Sequence, residues 1–430
     1  MSTSFAAALL AACFATSSAQ AADFGGDCCA DLEERIAELE ATTVRKGNRK
    51  VSLRISGWVA EQIAYWDDGS EDNVYVQGMG EGIATHFKLT GTARISPDWS
   101  AGYVLQIEAQ SSDPLLNLDQ DNDDGGAGLS IYQSKWFLRS QTLGQVSVGL
   151  LSQASDNAAL LVDSSGSILQ GNWIMYDGAG YFANSNGARL ALPNGNTVRY
   201  GDVAYCHSIG FGTGGDCHGL TTNGVRYDTP VWGGFSASAG WGEDDYWDVA
   251  ARFTGEGLGF RLAVAAAYSQ NTDNNDRPNI TAGGGLDSSF TQVGGYLQHL
   301  QTGLFLYGAY GREDNNFNYL LPNAGLIAAP DNEQYYVKGG IRARVMPVGH
   351  SILFGEFGQS YDQVSDNLLD AGISSSELTR WGVGLVQEID NASMSVWLKY
   401  RNIEGDFSGA GGTTELDDID FIVFGGLIAF

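Results

Sequence analysis

Sixteen runs between position 50 and the end of the chain alternate apolar and polar side chains with a period of two, with no long helix-period stretch among them. They fall at 50–66, 82–96, 99–111, 131–141, 144–152, 221–229, 233–242, 246–254, 258–270, 287–301, 303–312, 334–346, 349–361, 377–390, 392–403 and 418–430. This period puts successive side chains on opposite faces of a strand. The connections alternate too. Those at 97–98, 142–143, 230–232, 255–257, 302, 347–348 and 391 are short. Those at 67–81, 112–130, 153–220, 271–286, 313–333, 362–376 and 404–417 are long, and only 243–245 breaks the rule. Short turns on one rim and long loops on the other are the layout of an outer-membrane barrel, with the short turns periplasmic. An even strand count brings both ends of the barrel chain to that side. The expected fold is therefore all-β: a 16-stranded antiparallel transmembrane β-barrel.

The basic residues say which face is the lumen. On 334–346, Tyr335, Val337, Ile341, Ala343 and Val345 share one face, and Lys338, Arg342 and Arg344 the other. Lys399 and Arg401 oppose Met394, Val396, Leu398 and Tyr400, and His86, Lys88 and Arg94 oppose Phe87, Leu89, Ala93 and Ile95. Lys135 and Arg139 oppose Tyr132, Trp136 and Leu138, and Arg54, Arg226, Arg252, Arg261 and Arg380 follow suit. A charge facing lipid at the midplane costs about 2–4 kcal/mol, so these faces are luminal. Glu108, Asp248 and Glu388 fall on the same side, whereas Glu61 shares a face with Val59 and Ile63, as a rim or subunit-contact residue would. A soluble sandwich would also alternate, but sixteen strands with unequal connections disfavour it. Trp66, Trp99, Trp136, Trp232, Trp241 and Trp247 fall near strand ends, as an interfacial girdle does.

The last run, DIDFIVFGGLIAF, sets Ile422, Phe424, Gly426, Ile428 and Phe430 on one face. It reads as the lipid-facing closing strand, paired with the first. In a bilayer only helices and closed barrels satisfy the whole backbone, and downstream of the N-terminus no stretch of 18 apolar residues offers a helix. The 58 glycines, 8 prolines and 48 aromatic residues (19 Tyr, 19 Phe, 10 Trp) with a mean hydropathy of -0.14 suit half-polar strands. A net charge of -28 excludes a nucleic-acid surface.

Residues 1–21 read as a secretory signal, with an apolar core at 5–14 and Ala19-Gln20-Ala21 as the cleavage site. The missing basic start puts the true initiation point in question, and Cys13 ends a lipobox-like LAAC. Residues 22–49 form a periplasmic segment. Within it 31–43 reads as a helix whose Leu32, Ile36 and Leu39 have coiled-coil spacing. A surface helix and a trimeric coiled coil both fit. Cys206 and Cys217 read as a disulfide in an oxidising compartment. With His207 and His218 they offer a Cys2His2 metal site as the lesser alternative. Cys28 and Cys29 have no account.

The barrel spans 50–430, and its longest connection, 153–220, is long enough to fold inward and narrow the pore. Its Asp156, Asp163 and Asp177 are expected to face the luminal Arg/Lys wall across the constriction, and packing outside the pore is the alternative. Other acidic residues gather in the outer loops, where Ca²⁺ or Mg²⁺ would bridge them to anionic lipopolysaccharide. The 119–130 segment lacks the Gly and Glu that an EF-hand needs. No G-x-S-x-G or H-E-x-x-H motif suggests an enzyme.

The segment DLEERIAELEATTVRKGNRKVSLRISGWV (31–59) and the strand ending at Phe430 resemble alphaproteobacterial general porins of the rhizobial type, with a likeness over essentially the whole mature chain. The resemblance implies a sixteen-stranded homotrimeric barrel in the outer membrane, a third extracellular loop folded into the lumen, and passive diffusion of small hydrophilic solutes; no cofactor is expected. It also implies that the barrel-assembly machinery reads Phe430. A substrate-specific sugar or anion channel is the alternative, and Tyr336 and Trp58, which alternate inward, are too few to make a track.

Overall fold

The computed structural model describes residues 50–430 except 111, 125–127, 194, 209, 212–215, 218–220, 244, 273–277 and 322–324. The expected leader 1–21, the helix 31–43, Cys28, Cys29 and His218 lie outside the described residues.

The wall consists of sixteen antiparallel strands: β1 (Ser52–Asp67), β2 (Thr85–Arg94), β3 (Trp99–Gln110), β4 (Gly128–Ser140), β5 (Gly144–Leu151), β6 (Thr222–Asp228), β7 (Phe235–Gly242), β8 (Tyr246–Gly257), β9 (Phe260–Asn271), β10 (Ser288–His299), β11 (Leu304–Asn315), β12 (Asn332–Met346), β13 (Gly349–Tyr361), β14 (Ile373–Ile389), β15 (Met394–Gly409) and β16 (Ile419–Ala429). Each pairs with its neighbours in sequence. β16 also pairs with β1, from Trp58↔Ala429 to Asp67↔Asp420, which closes the ring. Phe430 extends this seam: its N–H donates to Gly57 O at 3.0 Å, and Gly57 N–H donates to Phe430 O at 3.1 Å.

Local chemistry sets the short rim. Leu258 and Gly259 form a two-residue turn with both φ positive (53° and 83°), the hairpin geometry that matches strand twist. The Asp98 carboxylate accepts hydrogen bonds from Ser140 Oγ and from the backbone N–H groups of Gln141 and Thr142, tying two neighbouring turns together.

β1 departs from a plain meander. Its first half, through Trp58, pairs with β2, but Gln62 to Asp67 pair with a returning strand, Asp72–Gln77, inside the segment read as a loop. That strand supplies the wall above β2. Residues 78–84 then dip inward, burying Met79 and Ile83. Glu81 N–H donates to Asp113 at 3.1 Å, and Gly82 N–H donates to Glu108 at 2.9 Å.

Apolar side chains such as Ile63, Val249, Val264, Leu306, Leu353 and Ile422 are exposed on the outer face, and Glu61 stands exposed among them. The core lies inside the ring. Tyr296, Tyr307, Tyr336, Phe354, Trp397 and Phe421 on the wall are buried together with loop residues Leu160, Val162, Met175 and Tyr181. Trp66 corrects the girdle expectation: it points inward, 1% exposed, and packs against Tyr75 and Tyr181.

Candidate functional site

The described residues 152–183 of the segment between β5 and β6 lie against inward side chains of the wall, and many are fastened to them. At its start, Arg226 Nη1 donates to Ser152 O and Gln153 O (3.1 and 2.8 Å), and Arg252 Nη2 donates to Ala154 O (2.6 Å). Asp248 accepts from Ser155 N–H and Oγ. Gln292 of β10 accepts from Ala159 N–H at 2.8 Å and donates to Ser155 O at 3.0 Å, while Tyr307 OH donates to Ala159 O at 2.9 Å. Gly294 makes this approach feasible, since a Cβ there would lie 2.1 Å from Ala159 O.

Further along, Lys338 Nζ is ion-paired with Asp163 at 2.6 Å and donates to Asn172 Oδ1 (2.6 Å) and Ser167 O (3.1 Å). Asp177 pairs with Lys399 (2.7 Å) and with Arg401, which also pairs with Glu356 at 2.6 Å. On the return, Tyr181 stacks edge-on against Phe421, and Asp417 accepts the N–H groups of Asn186 and Gly187. Glu313, wholly buried, accepts the N–H groups of His207 and Ser208 (3.0 and 2.7 Å). Cys206 and Cys217 are joined in a buried disulfide next to this anchor.

The basic residues thus fall into three groups. Lys338, Arg380, Lys399 and Arg401 are buried beneath the loop. Arg54, Arg94, Arg139, Arg261, Arg342 and Arg344 lie toward the short-turn rim. There Arg139 meets Gln145, Arg261 meets Glu256, Arg342 meets Glu388 and Arg344 meets Asp390. Lys88, Lys135, Arg226 and Arg252 stay half-exposed on β2, β4, β6 and β8. The loop carboxylates do not look across water at a distant wall. Asp163 and Asp177 touch their cations in dry ion pairs, because the loop packs directly on β10–β16. The half-exposed cations lie on the arc β2–β8, where Arg226 and Arg252 hold the start of the loop.

That arc carries acids the sequence reading passed over. Glu81 and Asp113 come from inward segments beside Glu108, and burial pushes both loop carboxyls upward in pKa. The repeated glycines at 78, 80 and 82 were the available signal for a tight inward turn. Asp156, 5% exposed, is hydrogen-bonded by Ser152 Oγ and Asn157 Nδ2. Burial raises its pKa to about 7, against the opposing pull of the Ser152 hydrogen bond and the Arg226 and Arg252 charges. Tyr336 is buried under the loop and Trp58 packs on His86, so no aromatic track is formed by these two. Among the described residues no group of three or more His, Cys, Asp or Glu is placed to hold a metal ion.

A family model described as Gram-negative porin matches residues 6–406. Among solved structures, the chain is similar to Salmonella typhi OmpF in complex with daunomycin, with a TM-score of 0.53 and 13% identity over 89% of this chain and 98% of that one. It is also similar to in-vitro folded OmpT, an outer membrane protein of Vibrio cholerae, with a TM-score of 0.51 and 9% identity over 90% of this chain and 99% of that one. At such identities the likeness is one of fold. No curated protein matches the sequence.

Proposed function

We propose, from the premise that this chain belongs to the Gram-negative porin family, that solutes cross it along the β2–β8 side of the lumen. The protein is an outer-membrane β-barrel channel for passive diffusion of small hydrophilic solutes and ions. The observation that supports the path is the uneven lumen: the loop buries Lys338, Arg380, Lys399 and Arg401 on β12–β15, while Lys88, Lys135, Arg226 and Arg252 on β2–β8 stay half-exposed. Glu81, Asp113 and Asp156 stand against that basic arc. A transverse field of this kind orients water and polar solutes and disfavours apolar ones. The buried Tyr336 weighs against a sugar track, and with it against a substrate-specific channel. Diffusion through such a path needs no catalytic group.

Planar-bilayer recording tests the path. Neutralising Lys88 and Lys135 together should move the reversal potential toward cation preference, while neutralising Lys399 should leave selectivity as it was. The opposite pattern would refute it. In liposome swelling, rates should fall smoothly with sugar size, and one saturable outlier would instead establish a specific channel.

The 31–59 segment supports the rhizobial subtype, with 1–21 as a cleaved leader and 22–49 as a periplasmic segment. The Leu32, Ile36 and Leu39 spacing and the outward Glu61 support a homotrimer. Conductance closing in three equal steps is its check. Phe430 remains the proposed signal to the assembly machinery. Ca²⁺ or Mg²⁺ would act at the acidic rim by bridging it to anionic lipopolysaccharide.

A further inference from the structure

Seven charged side chains lie buried where the loop meets β12–β15. Four are cationic (Lys338, Arg380, Lys399, Arg401) and three are carboxylates (Asp163, Asp177, Glu356). The carboxylates are fully committed. Asp163 pairs with Lys338, Asp177 joins Lys399 and Arg401, and Glu356 pairs with Arg401 while accepting the Tyr336 hydroxyl at 2.6 Å. Among the described residues Arg380 has no ion pair. It is 1% exposed, and its Nε and Nη1 have no hydrogen-bond partner among the described residues. A guanidinium cannot lose its proton to escape the penalty, and a buried charge without a counter-charge is strongly destabilising.

The strand register indicates where a counter-charge fits. Arg380 on β14 is level with Gly358 on β13 and Ile403 on β15, and Gly358 is level with Tyr336 on β12. Having no side chain, Gly358 leaves backbone as the floor between the tyrosine ring and the guanidinium. The two are separated by two strand spacings, about 10 Å between backbones. Ser360, the next inward residue on β13, is also 1% exposed, and among the described residues its hydroxyl has no partner either. It stands about 7 Å along the strand from Gly358. Leu378 and Ile403, both wholly buried, border the place with apolar surface.

We propose that a small monovalent anion, chloride in a saline medium, binds between these buried donors, held by Arg380 Nε and Nη1 and by Ser360 Oγ. One negative charge brings four cations and three carboxylates to neutrality, whereas a divalent oxyanion would overshoot and bring more hydration than the apolar border accepts. The anion is a structural counter-ion. It sits behind the loop, not in the solute path, and lets the loop lie flat on β13–β15 without leaving Arg380 uncompensated.

Bromide is the probe. In crystals of the full chain grown with sodium bromide, anomalous density should lie within about 3.5 Å of the Arg380 guanidinium and be lost in Arg380→Met. Should that variant fail to fold, Arg380→Lys and Ser360→Ala should each lower the bromide occupancy. In detergent at fixed ionic strength, replacing gluconate by chloride should raise the wild-type unfolding temperature, with a gain that grows with the logarithm of chloride concentration above saturation. The variants should lose that gain. Bromide at other sites but none at Arg380, or an equal chloride dependence in wild type and Arg380→Met, would overturn the proposal.

Discussion

Lys338→Met removes one cation from beneath the loop and keeps nearly the same stem. Lys338 Nζ is the meeting point of three loop residues: Asp163, Ser167 and Asn172. Its loss leaves the Asp163 carboxylate 6% exposed, with the Ser165 N–H at 2.9 Å as a remaining donor. Removing one partner of a buried pair costs about 3–5 kcal/mol. At about 1.4 kcal/mol per tenfold, the closed-to-open ratio of this stretch should fall by roughly two to three and a half orders of magnitude. The Asp177 pairs and the Glu313 anchor remain, so the loss should appear as local opening rather than barrel unfolding. Hydrogen exchange of the 160–172 amides in lipid discs measures this, and single-channel recording should show added open-state noise. Lys338→Met with Asp163→Leu replaces the pair by apolar packing and should recover most of the protection. If exchange in Lys338→Met stays within tenfold of wild type, or the double variant is no better than the single, the pair does not hold the loop.

Other perturbations probe different fastenings. Asp156 has a folded pKa of about 7 against 3.8 for the free side chain, so the folded state holds its proton more tightly. Its stabilising contribution is full below the unfolded value and is lost as pH rises through about 7. Acidification from about pH 8 to 6 should therefore shift selectivity toward anions and slow loop exchange, and Asp156→Asn should flatten both responses. Gly294→Val drives a side chain into Ala159 O, which a Cβ would approach to 2.1 Å. At about 1–3 kcal/mol for overpacking, the loop should lift from β10 and change conductance, with an unaltered conductance counting against the contact. Deleting Phe430 removes two hydrogen bonds to Gly57. Outer-membrane yield should drop while the conductance of each assembled channel is kept, and a normal yield would exclude its role in assembly.

Period and parity made the wall legible. All sixteen runs became strands, and basic residues such as Lys338 and Lys399 point inward as their parity requires. What parity cannot give is depth. Lys338 and Lys88 read alike in sequence, yet one is sealed under the loop and the other is half-exposed. The difference depends on where 153–220 comes to rest, and contacts such as Lys338–Asp163 are non-local. Trp66 failed for the same reason, because its partner Tyr181 belongs to the loop. The returning strand Asp72–Gln77 was hidden by its acidic, asparagine-bearing start, which has the composition of a turn.

The seam between β1 and β16 makes the ring a problem of time as well as geometry. Trp58 must find Ala429, a partner 371 positions away, before either margin of the sheet is capped. Until then the chain carries two bare strand edges, each a template for pairing with a stranger. Loop-closure entropy grows only slowly with length, so the hazard lies in the waiting rather than in the final equilibrium. Slow non-local pairing of this kind leaves a half-built sheet open to aggregation. The half-built sheet is thus the stage at which covering the two bare edges would matter most, and yield should respond to such cover more sharply than to single changes in the wall.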